Sequence, residues 1–294
     1  MSISAKDVMK LRRQTGAGMM DCKKALQEND GDMEAAIDFL RKKGLKTAEK
    51  RADREVNEGK VVACIAKDAK SGSLLEFNSE TDFVAGTPQF IQFAKDAAER
   101  AFENKPADVE SLLACQAVSD TSIQLNDQLN EMTAKLGEKM GIRRFTVMSL
   151  PEGNAGRVHS YIHLGDKHGV MIAVSCDKEE TASAAEFTEL VNDLCLQIVA
   201  YGPVAVDRDG VDSSLVEREL DVYRDMARNE GKPEQIIDKI AQGKLNKYYS
   251  EVTLLEQGFV KEDKLSVQDH VKAISKSLDD KIVVEGFEAY TIGS

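Results

Sequence analysis

Short apolar faces separated by polar breaks organise the N-terminal part of the chain. Ser4-Ala5-Lys6-Asp7 opens a helix, with Ser4 as N-cap and an acid three residues on to complete the first turn. Val8 and Leu11 supply its apolar stripe until Thr15-Gly16-Ala17-Gly18 breaks it. A second helix is predicted from about Met19, burying Cys22, Ala25 and Leu26. Asn29-Asp30-Gly31-Asp32 reads as a turn, and Asp32 caps a third helix carrying Ala36, Ile37 and Leu40, which Gly44 is predicted to end. Residues 45–58 are almost wholly charged or small and read as an exposed helical linker.

From Gly59 the period changes. Gly59 to Ile65 and Gly72 to Asn78 are β-rich runs joined by a polar turn, which predicts an antiparallel hairpin. Thr87-Pro88 then starts a helix with a capping hydroxyl and a proline at the first helical position. Leu125, Leu129, Met132 and Leu136 recur at helical spacing and define one buried face. Ile142 to Met148 reads as a third strand, and Pro151 to Gly156 as a domain joint.

The second half repeats the first. A gapless shift of 97 residues aligns Gly59 with Gly156, Val61 with Val158, Ile65 with Ile162, Lys70 with Lys167 and Gly72 with Gly169. Leu74, Leu75 and Phe77 fall on Met171, Ile172 and Val174. A helix follows each hairpin, the second lined by Phe187, Leu190, Val191, Leu194 and Ile198. Each copy closes with a strand, the later one from Ile282 to Ile292. Matching glycines, turn length and element order favour duplication over coincidence. Within the second copy, Ser214 and Glu217 form a capping-box pattern, and Val216, Leu220, Tyr223 and Ala227 recur at helical spacing. Gly231-Lys232-Pro233 separates them from a helix with Ile236, Ile237 and Ile240, which gives a helical hairpin.

The expected fold class is therefore α+β. A three-helix module covers residues 1–44, and the charged linker covers 45–58. A first α+β half spans 59–150, and a second spans 151–294 with the hairpin at about 212–257. Each half is expected to be a small antiparallel sheet with helices on one face. The N-terminal pattern, G-x-G-M-M-D-x-x-K-A-L followed by N-D-G-D-x-E-x-A-I-x-x-L, resembles the ubiquitin-associated domain family.

Charge sharpens this division. Residues 1–58 carry 13 Lys+Arg against 11 Asp+Glu, whereas the rest carry 26 against 40, so the N-terminal piece is a chemically distinct module. The whole chain, at −12, is a poor match for a protein held to nucleic acid by phosphate contacts, and none is expected. No apolar run approaches the ~18–20 residues of a bilayer-spanning helix. Met1 to Lys6 has neither a signal-peptide core nor transit-peptide character. Five cysteines, widely spaced and without a C-x-x-C pair, fit a reducing cytosol better than a disulfide framework, so a cytoplasmic protein without membrane partners is expected.

Recognisable catalytic motifs are absent: there is no phosphate loop, no G-x-S-x-G and no H-E-x-x-H. His159, His163 and His168 lie close in sequence, but no Cys or carboxylate completes a ligand set, so a strand-and-loop surface is favoured over metal. Cys22 and Cys64 fall on apolar faces and read as core fillers. No cofactor and no enzymatic activity of the chain's own are expected.

One stretch breaks the local rules. After the strand ending near Asn78, Ser79-Glu80-Thr81-Asp82-Phe83-Val84-Ala85-Gly86 puts an aromatic and a β-branched residue into a polar turn. The plain account is a hydrophobic staple, with Phe83 folded back onto its own domain. The repeat argues otherwise, because Phe83 maps onto Glu180 and Asp82 onto Glu179, and a staple needed by the fold would have occurred twice.

The run T-D-F-V-A after a strand, the N-terminal L-R-x-x-T-G-A-G-M-M-D-C-K-K-A-L, the G-I-R-R segment and G-K-P before a helix together closely resemble the elongation factor Ts family. The likeness spans essentially the whole chain. It implies a guanine-nucleotide exchange factor for elongation factor Tu, the GTPase that delivers aminoacyl-tRNA. It also implies that Asp82 and Phe83 enter the GTPase near its nucleotide and disturb the Mg²⁺ site, with Thr81 and Val84 shaping the turn. Arg12, Met19 and Met20 match the family's N-terminal contact with the GTPase, and His163, after Ser160-Tyr161-Ile162, matches a second-half contact. The sequence departs from the pattern at its end. No further helix follows the last strand before Ser294, and that strand reads Val284-Glu285-Gly286-Phe287-Glu288 where an arginine-containing form is expected. The rival reading is a non-enzymatic adaptor that binds a polypeptide through the N-terminal module. Homodimerisation stays open.

Overall fold

The computed structural model describes residues 3–49, 53–163 and 165–294, with side chains left out at 45–49 and 263. Residues 50–52 of the expected linker lie outside the described residues.

Three helices open the chain: α1 (Ala5–Thr15), α2 (Met19–Glu28) and α3 (Met33–Glu49). Ser4 and Asp7 form a reciprocal capping box on α1, and Gly16 ends it in the left-handed conformation. Val8, Leu11, Cys22, Ala25, Leu26 and Ala36 make the bundle's core. Gly44 does not end α3, which runs on to Glu49. The reason lies outside the helix, where a Cβ added at Gly44 would stand 3.4 Å from Ala134 Cβ on a neighbouring helix. Glycine here permits close helix–helix approach rather than a stop.

The first half comprises β1 (Glu58–Ile65), β2 (Ser71–Ser79), α4 (Asp82–Ala85), α5 (Pro88–Asn104), α6 (Val109–Leu113), α7 (Leu125–Leu136) and β3 (Met140–Ser149). The second comprises β4 (Ala155–His163), β5 (His168–Cys176), α8 (Glu179–Ser183), α9 (Ala185–Tyr201), α10 (Ser213–Asn229), α11 (Glu234–Val252), β6 (Gly258–Phe259), β7 (Glu262–Ser266), α12 (Val267–Ser277) and β8 (Ile282–Thr291). The cap of α10 is Asp212, whose carboxylate accepts from the Ser214 N–H, rather than Ser214 itself. Helices α10 and α11 pack on each other as the predicted hairpin, burying Ala227 against Ile237, Ala241 and Leu245.

Duplication reaches the register. The sheets run β1-β2-β3 and β4-β5-β8, both antiparallel. Gly59 faces Asn78 and Gly156 faces Ser175, and the third-strand pairing slips between Glu76 and Phe77 in one half and between Ala173 and Val174 in the other. All of these pairs are related by the same 97-residue shift. Gly59 and Gly156 have φ of 155° and 131°, and a Cβ at either would lie 2.2 or 2.3 Å from the facing carbonyl oxygen. Helices α5 and α9 bury the same positions, from Phe90 and Phe187 through Ala101 and Ile198.

Each sheet carries helices on one face and meets the other sheet with its opposite face. Phe77, Leu75 and Val62 pack under α5, with Phe77 stacked on Phe90 at 4.3 Å between ring centroids. Val61, Leu74, Val158, Met171, Ala173 and Tyr290 form a separate core between the two sheets. That is why β2 is buried without interruption from Gly72 to Ser79 and β5 from Gly169 to Cys176. Two backbone hydrogen bonds join the halves reciprocally: Val61 N–H donates to the Asp166 carbonyl at 2.7 Å, and Val158 N–H to the Ala69 carbonyl at 2.6 Å. Lys60 and Lys167 add ion pairs to Asp166 and Glu58, both at 2.7 Å.

Candidate functional site

Strand β2 delivers the chain from the core of the first half to an outer corner. There Thr81 takes extended backbone angles and caps α4, its hydroxyl accepting the Val84 N–H at 3.4 Å. The Ala85 and Gly86 N–H groups close the turn onto the carbonyls of Thr81 and Asp82. Thr87 follows immediately, its hydroxyl donating to the Val84 carbonyl at 2.8 Å and accepting from Phe90 N–H to cap α5.

In so short a helix, successive residues point about 100° apart. Val84 and Ala85 are buried in the first-half core, so Asp82 and Phe83 face out. Phe83 is 86% exposed, more so than any other large apolar residue among those described. The staple reading therefore fails: the ring does not fold back onto its own domain. At the equivalent position the second half carries Glu180, also exposed.

The surroundings hold this corner from outside. Glu138, just beyond α7, accepts the Thr81 N–H at 3.0 Å and the Thr81 hydroxyl at 2.9 Å. Its neighbour Lys139 donates its backbone N–H to Glu80 Oε1 at 2.6 Å, and its ammonium to the Arg54 carbonyl at 2.7 Å. Arg54 in turn pairs with Glu80 at 2.9 Å. Lys167, at the start of β5's approach, pairs with Glu58; that bond raises the ammonium pKa, and nearby Asp82 acts in the same sense.

His163 is the last residue of β4 at the tip of the β4–β5 hairpin, exposed, with its Nδ1 2.9 Å from the Tyr161 hydroxyl and its ring stacked on Tyr161 at 5.6 Å. His159 is half-buried, and burial first, then the Arg157 charge, lowers its pKa. Among the described residues no group of three His, Cys, Asp or Glu side chains is arranged to hold a metal ion. No helix among them is long and apolar enough to cross a membrane.

Arg12, Met19 and Met20 lie apart from the corner, together at the Gly16–Gly18 bend of the bundle, and all three are exposed. The bundle leans on α7 through α3: Arg41 pairs with Glu131 at 3.1 Å, and a cleft of about 330 Å³ lies between Thr15, Gly18, Leu40, Asp127 and Lys135. Helix α7 thus packs on the bundle through α3, and Glu138, two residues past its C-terminus, holds the Phe83 corner. Glu138 and Lys139 are the corner's partners that sequence reasoning did not find. Glu138 lies 57 positions from Thr81, and nothing local marks a loop carboxylate for that contact.

A family model described as Elongation factor TS matches residues 80–294. Over its full length the chain is 42% identical to an elongation factor Ts of Trichlorobacter lovleyi, covering 93% of that protein. It is 42% identical over 99% of its length to one from Clostridium botulinum strain Loch Maree, covering 92% of it. With one from Chlorobaculum parvum it shares 43% identity, over 99% of each chain.

Proposed function

Because the chain belongs to the elongation factor Ts family, we propose that this translation elongation factor is a guanine-nucleotide exchange factor for elongation factor Tu. It binds the GDP-bound GTPase in the cytoplasm and promotes GDP release. The observation that carries the reading is Phe83: an apolar ring almost wholly in water, on a corner whose own fold has no use for it. Such a ring gains about 1.5–3 kcal/mol when buried in a partner.

In this reading Asp82 and Phe83 enter the GTPase beside its nucleotide and disturb its Mg²⁺ site. A Mg²⁺ ion couples nucleotide phosphates to switch segments, so moving it speeds release without any contact to the base. The chain needs no nucleotide motif or metal of its own, because both belong to the partner. Coupling is reciprocal: if the factor weakens GDP binding, GDP weakens factor binding by the same ratio.

Magnitudes require more than the ring. A thousandfold loosening of nucleotide costs about 4 kcal/mol, more than one phenyl supplies. A second grip is needed, and the exposed Arg12, Met19 and Met20 of the bundle and His163 at the hairpin tip are the residues assigned to it. A passive adaptor would use the bundle's methionines alone and leave Phe83 without a task.

Stopped-flow release of fluorescent GDP from elongation factor Tu tests the proposal. Release accelerates with added protein and saturates, and the affinity of the two proteins falls when GDP is present. Unchanged release, or an affinity indifferent to GDP, supports the adaptor instead.

A further inference from the structure

Four residues make a helix too short to persist on its own, so the direction of Phe83 depends on what holds α4. Val84 and Ala85 anchor the far side of the turn in the core, and two backbone bonds close it, but at its start the Thr81 hydroxyl reaches the Val84 N–H only at 3.4 Å. From outside, that start is held more firmly. The Glu138 carboxylate takes the Thr81 backbone N–H at 3.0 Å and the Thr81 hydroxyl proton at 2.9 Å. A hydroxyl has one proton and two lone pairs. With the proton spent on Glu138, the lone pairs of Oγ1 turn toward the Val84 N–H, the polarity that a cap requires.

The second half provides a control. There Asp280 takes the equivalent backbone N–H, that of Lys178, at 3.1 Å, but position 178 has no hydroxyl and α8 has no side-chain cap. The carboxylate tie to the backbone is common to both halves. In the second half the carboxylate also bonds a hydroxyl, that of Thr181 inside α8 rather than at its cap; the bond to a capping hydroxyl belongs to the corner that carries the exposed ring.

We propose that Glu138 is a positioning residue, which keeps α4 formed and Phe83 aimed before the partner arrives. This rests on the reading of Phe83 as the element that enters the GTPase. Preorganisation of this kind raises the fraction of bound complexes in which the ring is already in place, and so acts on the maximal rate.

The test is a double-mutant cycle on stimulated GDP release from elongation factor Tu, read as maximal rate and half-saturating concentration. Glu138→Ala lowers the maximal rate about tenfold with a smaller change in half-saturation, and Glu138→Gln, which keeps one acceptor, falls between it and the unaltered protein. In a Phe83→Ala background the Glu138→Ala change has no further effect, because the residue acts only through the ring. Thr81→Val, which removes the hydroxyl and leaves Glu138, reproduces part of the loss if Glu138→Ala does not fold. Equal losses in both backgrounds, or no loss with Phe83 present, overturn the positioning role alone. Full stimulation by Phe83→Ala overturns the underlying reading of the corner instead.

Discussion

At the scale of the residue, two phenylalanines six positions apart show how position decides what an aromatic ring is for. Phe77 is fully buried and stacked on Phe90, with Phe93 at 4.8 Å. Truncating it to alanine should cost about 3–5 kcal/mol by loss of transfer energy and creation of a cavity. Phe83 has no such surroundings, and Phe83→Ala should change stability by less than about 0.5 kcal/mol. Urea denaturation of the two variants checks both values. A large loss from Phe83→Ala would mean that the ring packs within its own domain in solution. The sequence made Phe83 conspicuous because its repeat partner is Glu180. It was silent about Glu138, which reaches Thr81 from a turn 57 positions away.

At the scale of the element, caps, turns and repeat spacing were readable because their signals are local. Ser4, Asp32 and Thr87 each cap the helix assigned to them. Where tertiary contact overrides a local signal, reading failed: Gly44 looked like a stop and is a close-approach site against Ala134. Short pieces such as α6 and the β6–β7 pair carry too few periodic positions to be seen. The paired glycines give a matched prediction. Gly59→Ala and Gly156→Ala each drive a methyl against a facing backbone carbonyl, and each should destabilise by at least about 2 kcal/mol, with similar losses expected from the shared register. Thermal or denaturant unfolding of the pair measures this.

Helix starts also set the response to acid. Hydrogen bonds from the Ser4 and Ser266 hydroxyls hold Asp7 and Asp269 below the ordinary aspartate pKa, as the Ser214 hydroxyl does for Asp212 and the Ser111 backbone N–H for Asp108. Folded values below unfolded ones mean that the unfolded chain takes up protons first. The stabilisation is present above the unfolded value near 3.8 and is lost as pH falls through the depressed values. The melting temperature should therefore fall on acidification below about pH 4, and less steeply in a variant with these four aspartates changed to asparagine.

At the scale of the whole molecule, two sheets that share a core give a rigid body with exposed apolar groups at separate places. The sequence predicted helices on one face of each sheet and left the opposite face open; the structure shows that this face is covered by the other half. In the proposed function the ring and the bundle reach one partner together, and the segment from α7 to Glu138 lies between them. If Met19 and Met20 belong to the bundle's grip on the GTPase, as proposed, replacing both with alanine should raise the half-saturating concentration for exchange about tenfold and spare the maximal rate. A lowered maximal rate at unchanged half-saturation would assign them a different task.

The most direct measurement is GDP release from elongation factor Tu at saturating concentrations of the unaltered protein and of Phe83→Ala, under conditions where both are shown to be folded. A maximal rate at least about tenfold lower is expected for the variant, the equivalent of about 1.4 kcal/mol on the barrier to release. Equal maximal rates would contradict it.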